Sequence, residues 1–444
     1  MNEPIEQKKE ITFVLFGSTG DLAKKKIIPA LNEIVKHTKI NLLCIGRRPF
    51  NEKEYREYLA KDNVFLSEEI KLKYDVIDFR KEGDVESITK KLDDFDKQKT
   101  DLRLFYLATS SKYFSQIAKA ISVEKQIPIK ILFEKPFGTN LKSFKKLNSS
   151  LIKYLTEEEI CRVDHYLAKE TVNNVLSLRL SNPFFEKTWN SKFIEEIRVD
   201  VQENFGVFDR LEYYDEAGAI KDMLQNHLLQ VVSFILMNPP ASDDMRKIKI
   251  QKKHAISKLK HVRSTIGQYE TYVAELKQKG LPESRTETYV ESEFISTNSR
   301  WKGTKILLRT GKNLKEKKAF IQLTYKKDPC TVYCDSTTPP NKLTVNIQPT
   351  QNVDLAMNMR LNADTNEYRH VLLNFYPSCE FKANTKESYQ TIIEESMKKE
   401  KAIFLTSEEL EEAWKITDKL INDIKSNKLV IYATGSETIN ESTK

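Results

Sequence analysis

Cysteine, glycine and proline are all scarce in this sequence, and each shortage excludes a class of protein. The 444 residues include five cysteines without a Cys-x-x-Cys pair, 12 glycines and 14 prolines. Few, unpaired cysteines exclude a disulfide-stapled secreted domain and give no zinc-binding pattern, so no metal site is expected. Few glycines and prolines exclude long low-complexity or disordered tracts. The composition is that of an ordinary globular protein.

Long apolar runs and a strong charge of one sign are also absent. No run of about 18 apolar residues occurs, so no membrane-spanning helix is predicted. The opening MNEPIEQKKE has no apolar core, so we expect no signal peptide and a cytoplasmic location. There are 72 basic and 64 acidic residues, a net charge of +8, with no arginine-rich arm. Nucleic acid is therefore not an expected partner, whereas small phosphorylated ligands suit the basic excess.

The first part of the chain, residues 1–165, is predicted to be a Rossmann-type domain. Short apolar runs alternate with mostly helical patterns, which indicates βαβ units and a doubly wound parallel sheet. The runs occupy residues 11–16, 41–46, 74–79, 102–108 and 129–134.

The remaining part, residues 166–444, has a different rhythm. Several alternating runs follow one another without helices between them, which predicts a large, mostly antiparallel sheet with helices on one face. Helices are predicted over residues 169–180 and 219–237, and an amphipathic one begins at Ser407. The fold class is therefore an α/β domain followed by a larger α+β domain.

A glycine-containing turn, GSTGDLA over residues 17–23, follows the first predicted strand and opens a helix. In that context glycine lets the backbone approach a pyrophosphate, and the helix N-terminus offers free N–H groups. The spacing G-x-x-G-x-x-A departs from the usual dinucleotide pattern, so a structural turn without a ligand stays open. The second strand ends in Gly46-Arg47-Arg48, where an arginine favours NADP over NAD; two solvated arginines are the alternative.

Two basic groups stand at the ends of predicted strands. Glu134-Lys135-Pro136 closes the fifth strand, at the edge where open α/β sheets bind ligands. The Lys135–Pro136 bond is predicted to be cis, with an ordinary turn as the alternative. Lys312 follows Arg-Thr-Gly at another strand end, where it is well placed to reach a phosphate unless it belongs to a solvated charged face.

His227 falls within the apolar stripe of the helix predicted over residues 219–237. A histidine in that position is either a satisfied core residue or a general base. A base needs a carboxylate that fixes its tautomer and stabilises the imidazolium. Asp164, in the polar stretch RVDHYLAKE, is a candidate, although sequence spacing does not show that the two side chains meet.

Taken in order, six stretches resemble those of glucose-6-phosphate dehydrogenases. They are GSTGDLAKKKIIPAL, FEKPFG, RVDHYLAKETVNNVLSLRLSN, YYDEAGAIKDMLQNHLLQ, RWKGTKILLRTGKNLKEKKA and NIQP. The likeness runs from residue 11 to about residue 350, and SEELEEAWKI is similar to the family's last helix, whereas residues 351–400 match poorly. The resemblance implies oxidation of the C1 hydroxyl of glucose 6-phosphate to the 6-phospho-lactone, the first step of the oxidative pentose phosphate pathway. It also implies that the hydride goes to NADP, with NAD as a weaker alternative. The protein is expected to form a homodimer or a dimer of dimers.

The resemblance also implies roles for individual residues. His227 matches the general base and Asp164 its orienting carboxylate, with no metal. His165, Tyr166, Lys169 and Lys312 would bind the 6-phosphate, and Glu203, Asp222, Lys317 and Gln348 would contact the sugar ring or its phosphate end. The cofactor residues would be Gly17, Ser18, Gly20, Asp21, Leu22, Lys26, Arg48 and Lys135.

Some positions depart from the family pattern. Ala168 replaces the usual glycine of DHYLGKE, and residues 109–112 (TSSK) lack the proline often found beside the nicotinamide. Gln322 and Asn346 stand where arginines of a second, structural NADP site are expected, so that site is predicted to be absent.

Two rival functions remain. A glucose–fructose or inositol dehydrogenase also combines a Rossmann domain with a Glu-Lys-Pro motif, but has no DHYLxKE cluster. A non-catalytic sensor of NADPH or sugar phosphate is the other. The retention of Asp164, Lys169, His227 and Lys312 favours an active enzyme over that sensor.

Overall fold

A computed structural model describes residues 8–81, 83–85, 87–122, 126–242, 244–327, 338–360, 368–376, 386–398 and 403–439. Three of the cysteines, Cys330, Cys334 and Cys379, lie outside these residues. The chain forms two compact units, one within Met1–Ala168 and Lys386–Ser407, the other within Lys169–Thr385 and Glu408–Lys444. The predicted boundary at residue 165 did not anticipate that residues 386–407 pack with the first unit.

The first unit contains a six-stranded parallel sheet in the order β3-β2-β1-β4-β5-β6. Residues 11–16 of β1 are all buried, because strands of a parallel sheet are covered on both faces. The predicted doubly wound sheet is confirmed, and the additional strand, β6, is only three residues long. The strands are β1 (Glu10–Phe16), β2 (Lys39–Gly46), β3 (Lys71–Val76), β4 (Leu102–Leu107), β5 (Ile129–Phe133) and β6 (Ile160–Arg162).

Helices connect these strands. The first begins at residue 21, passes through a π-helical segment (Ala23–Ile27) and continues as α1 (Ile28–Ile34). The next helix, α2 (Glu52–Ala60), opens with a capping box in which Asn51 and Glu54 each accept the other's backbone N–H. The others are α3 (Ile88–Asp96), α4 (Phe114–Ile121) and α5 (Leu141–Leu151).

The second unit contains a nine-stranded sheet in the order β14-β13-β12-β11-β7-β10-β9-β8-β15. Only β7–β10 and β8–β15 are parallel among its neighbouring pairs, so the predicted mostly antiparallel sheet is confirmed. The unpredicted β8 has a broken alternation of buried residues, with a register shift between His261 and Arg263. Its strands are β7 (Ile194–Gln202), β8 (Leu259–Tyr269), β9 (Tyr289–Ser296), β10 (Lys305–Gly311), β11 (Lys318–Tyr325), β12 (Lys342–Gln348), β13 (Asn352–Arg360), β14 (Tyr368–Phe375) and β15 (Leu429–Tyr432).

The central helix of the second unit starts as a π-helical segment, Ile220–Leu228, and continues as α9. All residues of α9 are buried, and the π-helical segment packs against β10. The helices of this unit are α6 (Glu170–Leu180), α7 (Pro183–Thr188), α8 (Leu211–Ala219), α9 (Leu229–Leu236), α10 (Met245–Ser257) and α11 (Tyr272–Gln278).

Residues 386–407 return the chain to the first unit. They include α12 (Ser388–Ser396), which packs against α1, while α13 (Ser407–Asp423) leads back into the second unit. Leu405 pairs with Arg162 at the end of β6 through its N–H, at 3.1 Å. Within the described part of the chain, no helix combines the length and the apolar character that crossing a bilayer requires.

Candidate active site

The turn after β1 depends on Gly17. Its φ is 76°, and a Cβ there would overlap the carbonyl oxygen of Ala108. The N–H groups of Gly17 and Ser18 both donate to the carbonyl of Ile45, at 3.0 and 3.1 Å, and the Gly20 N–H donates back to Gly17. The missing side chain of Gly17 therefore lets this turn pack against Ala108, which follows β4, directly before the helix of residues 21–34 begins.

Positive charge collects beside this turn. The Arg48 guanidinium lies 4.8 Å from the centroid of the Tyr58 ring, and the Lys24 ammonium lies 5.1 Å from it. The Tyr58 hydroxyl donates to the carbonyl of Thr19 at 2.9 Å, so one ring links the turn to both cations. Two other predicted cofactor residues are ion-paired, Asp21 with Lys25 at 2.8 Å and Lys26 with Glu387 at 3.3 Å, and Leu22 lies in the first helical turn.

The end of β5 carries the Glu-Lys-Pro motif. The Lys135–Pro136 peptide bond is cis, which confirms that prediction. Burial raises the pKa of the Glu134 carboxyl to about 7, although the hydroxyl of Tyr106 donates to it and Lys135 lies nearby. Glu134 was not predicted as a site residue. Its position directly before Lys135 was the available signal.

The loop after β6 holds the predicted phosphate-binding and orienting residues Asp164, His165 and Tyr166. Asp164 is buried, and its Oδ1 accepts the backbone N–H of Tyr166 at 2.9 Å. The His165 ring lies 5.0 Å from that of Tyr166 and stacks on Tyr389 of α12, with centroids 6.3 Å apart and planes 16° apart. Nothing in the sequence around Tyr389 indicates this contact.

Four predicted substrate residues from distant parts of the second unit lie at the same end of neighbouring strands in the nine-stranded sheet. The strands β7 and β10 are parallel, so Glu203 and Lys312, which follow them, lie at the same end. The antiparallel β11 begins there, just after Lys317, and Gln348 at the end of β12 faces Ala319. The sheet register therefore brings these four residues to one end of the strands.

Lys312 is the most buried of the lysines at these strand ends. Its ammonium forms an ion pair with Glu203 and lies 5.5 Å from the ring centroid of Phe205 and 5.2 Å from that of Tyr214. Only 8% of Lys312 is exposed. Lys317 lies 5.9 Å from the Phe205 ring. The ion pair and the two flanking rings therefore fix the position of this buried ammonium group.

The side chain of Lys169, directly before α6, extends to the same strand ends. Its Nζ donates to Oε1 of Gln348 at 3.2 Å, which links the start of α6 to the end of β12. Within the second unit this contact joins two of the predicted substrate residues, Lys169 and Gln348.

His227 and Asp222 both lie on the π-helical segment that packs against β10, with 1% and 4% of their surfaces exposed. Burial and the nearby Asp222 raise the pKa of the Tyr214 hydroxyl, which stays protonated near neutral pH. Asp164 belongs to the first unit and His227 to the second, so their pairing stays a prediction.

Comparisons with known proteins identify the family. Residues 14–174 match the model described as glucose-6-phosphate dehydrogenase, NAD binding domain, and residues 176–444 match the C-terminal domain of the same enzyme. The chain belongs to the glucose-6-phosphate dehydrogenase family. The two family models cover nearly all of both units, so membership does not rest on the glycine turn alone.

Individual members of the glucose-6-phosphate dehydrogenase family are similar along their full length. A curated relative from Borreliella burgdorferi, glucose-6-phosphate 1-dehydrogenase, is 33% identical, with 96% of this chain and 94% of the relative covered. A solved glucose-6-phosphate dehydrogenase in complex with glucose 6-phosphate has a TM-score of 0.89 at 27% identity, covering 98% and 96% of the two chains. The enzyme from Mycobacterium avium gives 0.84 at 25% identity, covering 97% and 95%.

Proposed function

We propose that this protein oxidises the C1 hydroxyl of glucose 6-phosphate to the 6-phospho-lactone, with NADP as the hydride acceptor. The observation that carries the proposal is the buried, ion-paired Lys312, which follows β10 at the same end of the strands as Lys169 and Lys317. Several ammonium groups at these strand ends suit a phosphate dianion, which inositol or free glucose does not offer. The solved relative in complex with glucose 6-phosphate supports the same substrate.

His227 is the proposed general base. It takes the C1 hydroxyl proton as the hydride leaves C1, because imidazole is the side chain that most often serves as a general base. Asp164 orients the ring and stabilises the imidazolium. NADP, when bound, supplies the electrophilic nicotinamide carbon that accepts the hydride.

The other residues bind and orient. Lys312, Lys169, His165 and Tyr166 hold the 6-phosphate, and binding of this remote group places C1 for reaction. Glu203, Asp222, Lys317 and Gln348 contact the sugar ring or its phosphate end. Within the first unit, the proposed pyrophosphate site is the turn of residues 17–20, where the first helix begins.

A substrate comparison tests the proposal. Formation of NADPH, followed by its absorbance, is measured with glucose 6-phosphate, glucose and inositol. We expect turnover of glucose 6-phosphate to exceed that of both other substrates by orders of magnitude. Equal rates with glucose would refute the anion site, and binding of NADPH without any turnover would favour the sensor.

We also propose that Arg48 gives the preference for NADP over NAD. Its guanidinium, held over Tyr58, is placed beside the turn where a 2′-phosphate would lie. Arg48→Ala should raise the KM for NADP about tenfold, the loss expected for one charge-assisted contact, and leave the KM for NAD unchanged. Arg47→Ala is the matched control. A uniform change with both cofactors would contradict the assignment.

A homodimer through the nine-stranded sheet is proposed as well. The outer strands β13 and β14 carry exposed apolar residues, among them Met359, Leu372 and Leu373 at 57%, 58% and 55% exposure. Apolar surface of this extent at a sheet edge is typical of a protein interface. Leu372→Lys combined with Leu373→Lys should shift sedimentation toward the monomer, and an unchanged sedimentation coefficient would contradict this interface.

A further inference from the structure

Glu287 lies two residues before β9 and contacts the start of the helix that carries His227. The N–H of Ala219 donates to the carbonyl oxygen of Glu287 at 2.9 Å. The N–H of Ile220 donates to the Glu287 carboxylate, to Oε1, at 3.1 Å. Because the first N–H groups of a helix lack partners within it, one residue satisfies two of them here.

Gly218 makes this approach possible. Its φ of 64° breaks α8 from the following helix, and a Cβ on it would overlap the Glu287 carboxylate. The kink is therefore shaped around that carboxylate. His227 follows Ile220 by about two helical turns, so a change in the direction of the helix start changes the position of its ring.

The same short segment also contacts the backbone of Lys312. The backbone N–H of Lys312 donates to the carbonyl of Thr288 at 3.0 Å. The Tyr432 hydroxyl lies 2.9 Å from Oγ1 of Thr288 and donates to the carbonyl of Lys312 at 2.7 Å. Residues 287 and 288 thus connect the helix of His227 to the backbone of Lys312 within the second unit.

We propose that Glu287 is a positioning residue for catalysis, which sets the place of His227 relative to Lys312 by capping the helix with its carboxylate. An acceptor at this end of a helix also interacts favourably with the helix dipole. The inference rests on the proposed function, because it assumes that His227 is the base and Lys312 a phosphate ligand.

The test compares Glu287→Gln with Glu287→Ala. Glutamine keeps an oxygen that accepts the Ile220 N–H, so its kcat should stay within about twofold of the wild type. Alanine removes that acceptor and should lower kcat about tenfold, with a change in the KM for glucose 6-phosphate of less than about threefold, because a misplaced base slows the chemical step. Glu283→Ala, an exposed glutamate in the same segment, should leave kcat unchanged.

Two results would overturn the inference. One is a folded Glu287→Ala variant with a lower melting temperature but a normal kcat, which indicates a purely structural role. The other is a Glu287→Gln variant as impaired as the alanine variant. If the alanine variant does not fold, Glu287→Asp, which withdraws the carboxylate by one methylene, takes its place. The wild-type turnover of glucose 6-phosphate tests the proposed function separately, since the inference concerns only the ratio between variants.

Discussion

The phosphate sites proposed for the two units are built from different parts of the polypeptide. In the first unit the site is a backbone turn, whose packing against Ala108 depends on the missing side chain of Gly17. In the second unit the site consists of the side chains of Lys312, Lys169 and Lys317, which lie at the same end of neighbouring strands. A backbone site needs a local sequence pattern, whereas a side-chain site needs correct strand pairing over long distances. The two sites should therefore respond differently to mutation.

The largest effect should come from the side-chain region. His227→Asn keeps a polar side chain of similar size but removes the base, so kcat should fall by about 10²- to 10⁴-fold. NADPH binding, followed by fluorescence, should not change, because the proposed cofactor residues lie in the first unit. A variant that retained a near-normal kcat would remove His227 from the mechanism.

Loss of the enclosed lysine should be the next largest effect. Lys312→Met keeps much of the stem but removes the charge that Glu203 and the phosphate would share. The kcat/KM for glucose 6-phosphate should fall about 10- to 100-fold, as expected for losing hydrogen bonds to a charged group, while the slow oxidation of glucose changes little. The exposed Lys302→Met serves as the control. Equal losses of kcat/KM with both substrates would show that Lys312 does not bind the phosphate.

A backbone site should instead be sensitive to a single methyl group. Gly17→Ala places a Cβ at a φ of 76° against Ala108, which should cost about 1–2 kcal/mol for the conformation alone and weaken NADP binding. Gly280→Ala is the matched control, because its φ of 70° carries the same strain but its Cβ would meet nothing within 4 Å. Denaturant unfolding and cofactor titration measure both. Equal damage from the two variants would contradict the special role of Gly17.

The smallest effect concerns pH. Burial raises the pKa of Glu134 to about 7 from an ordinary value of 4.5, so its contribution to stability is present at low pH and is lost as pH rises through about 7. Glu134→Gln stays neutral, so it should gain about 1 kcal/mol in unfolding free energy relative to the wild type between pH 5.5 and pH 6.5. Denaturant midpoints at the two pH values measure this. Parallel pH dependence of the two proteins would mean that Glu134 does not titrate in this range.

Local patterns could be predicted from the sequence, and long-range ones could not. The five longer strands of the parallel sheet and the Gly17 turn are each contained in a few consecutive residues. The strand β8 could not be predicted because its alternation is interrupted where the register shifts. The contacts of Tyr389 with His165, and of Glu287 with Ile220, join residues far apart in the chain and are created only by the fold. The residue roles themselves came from family resemblance rather than from spacing.

The return of residues 386–407 to the first unit has a consequence for biosynthesis. The strand β6 ends at Arg162, which is buried partly against Leu405. A ribosome that adds about 5–20 residues per second needs roughly 10–50 s to travel from one to the other. During that interval all six strands of the parallel sheet have been synthesised, but α12, which packs against α1, has not. The first unit, although it begins the chain, is therefore completed only after most of the second has been synthesised.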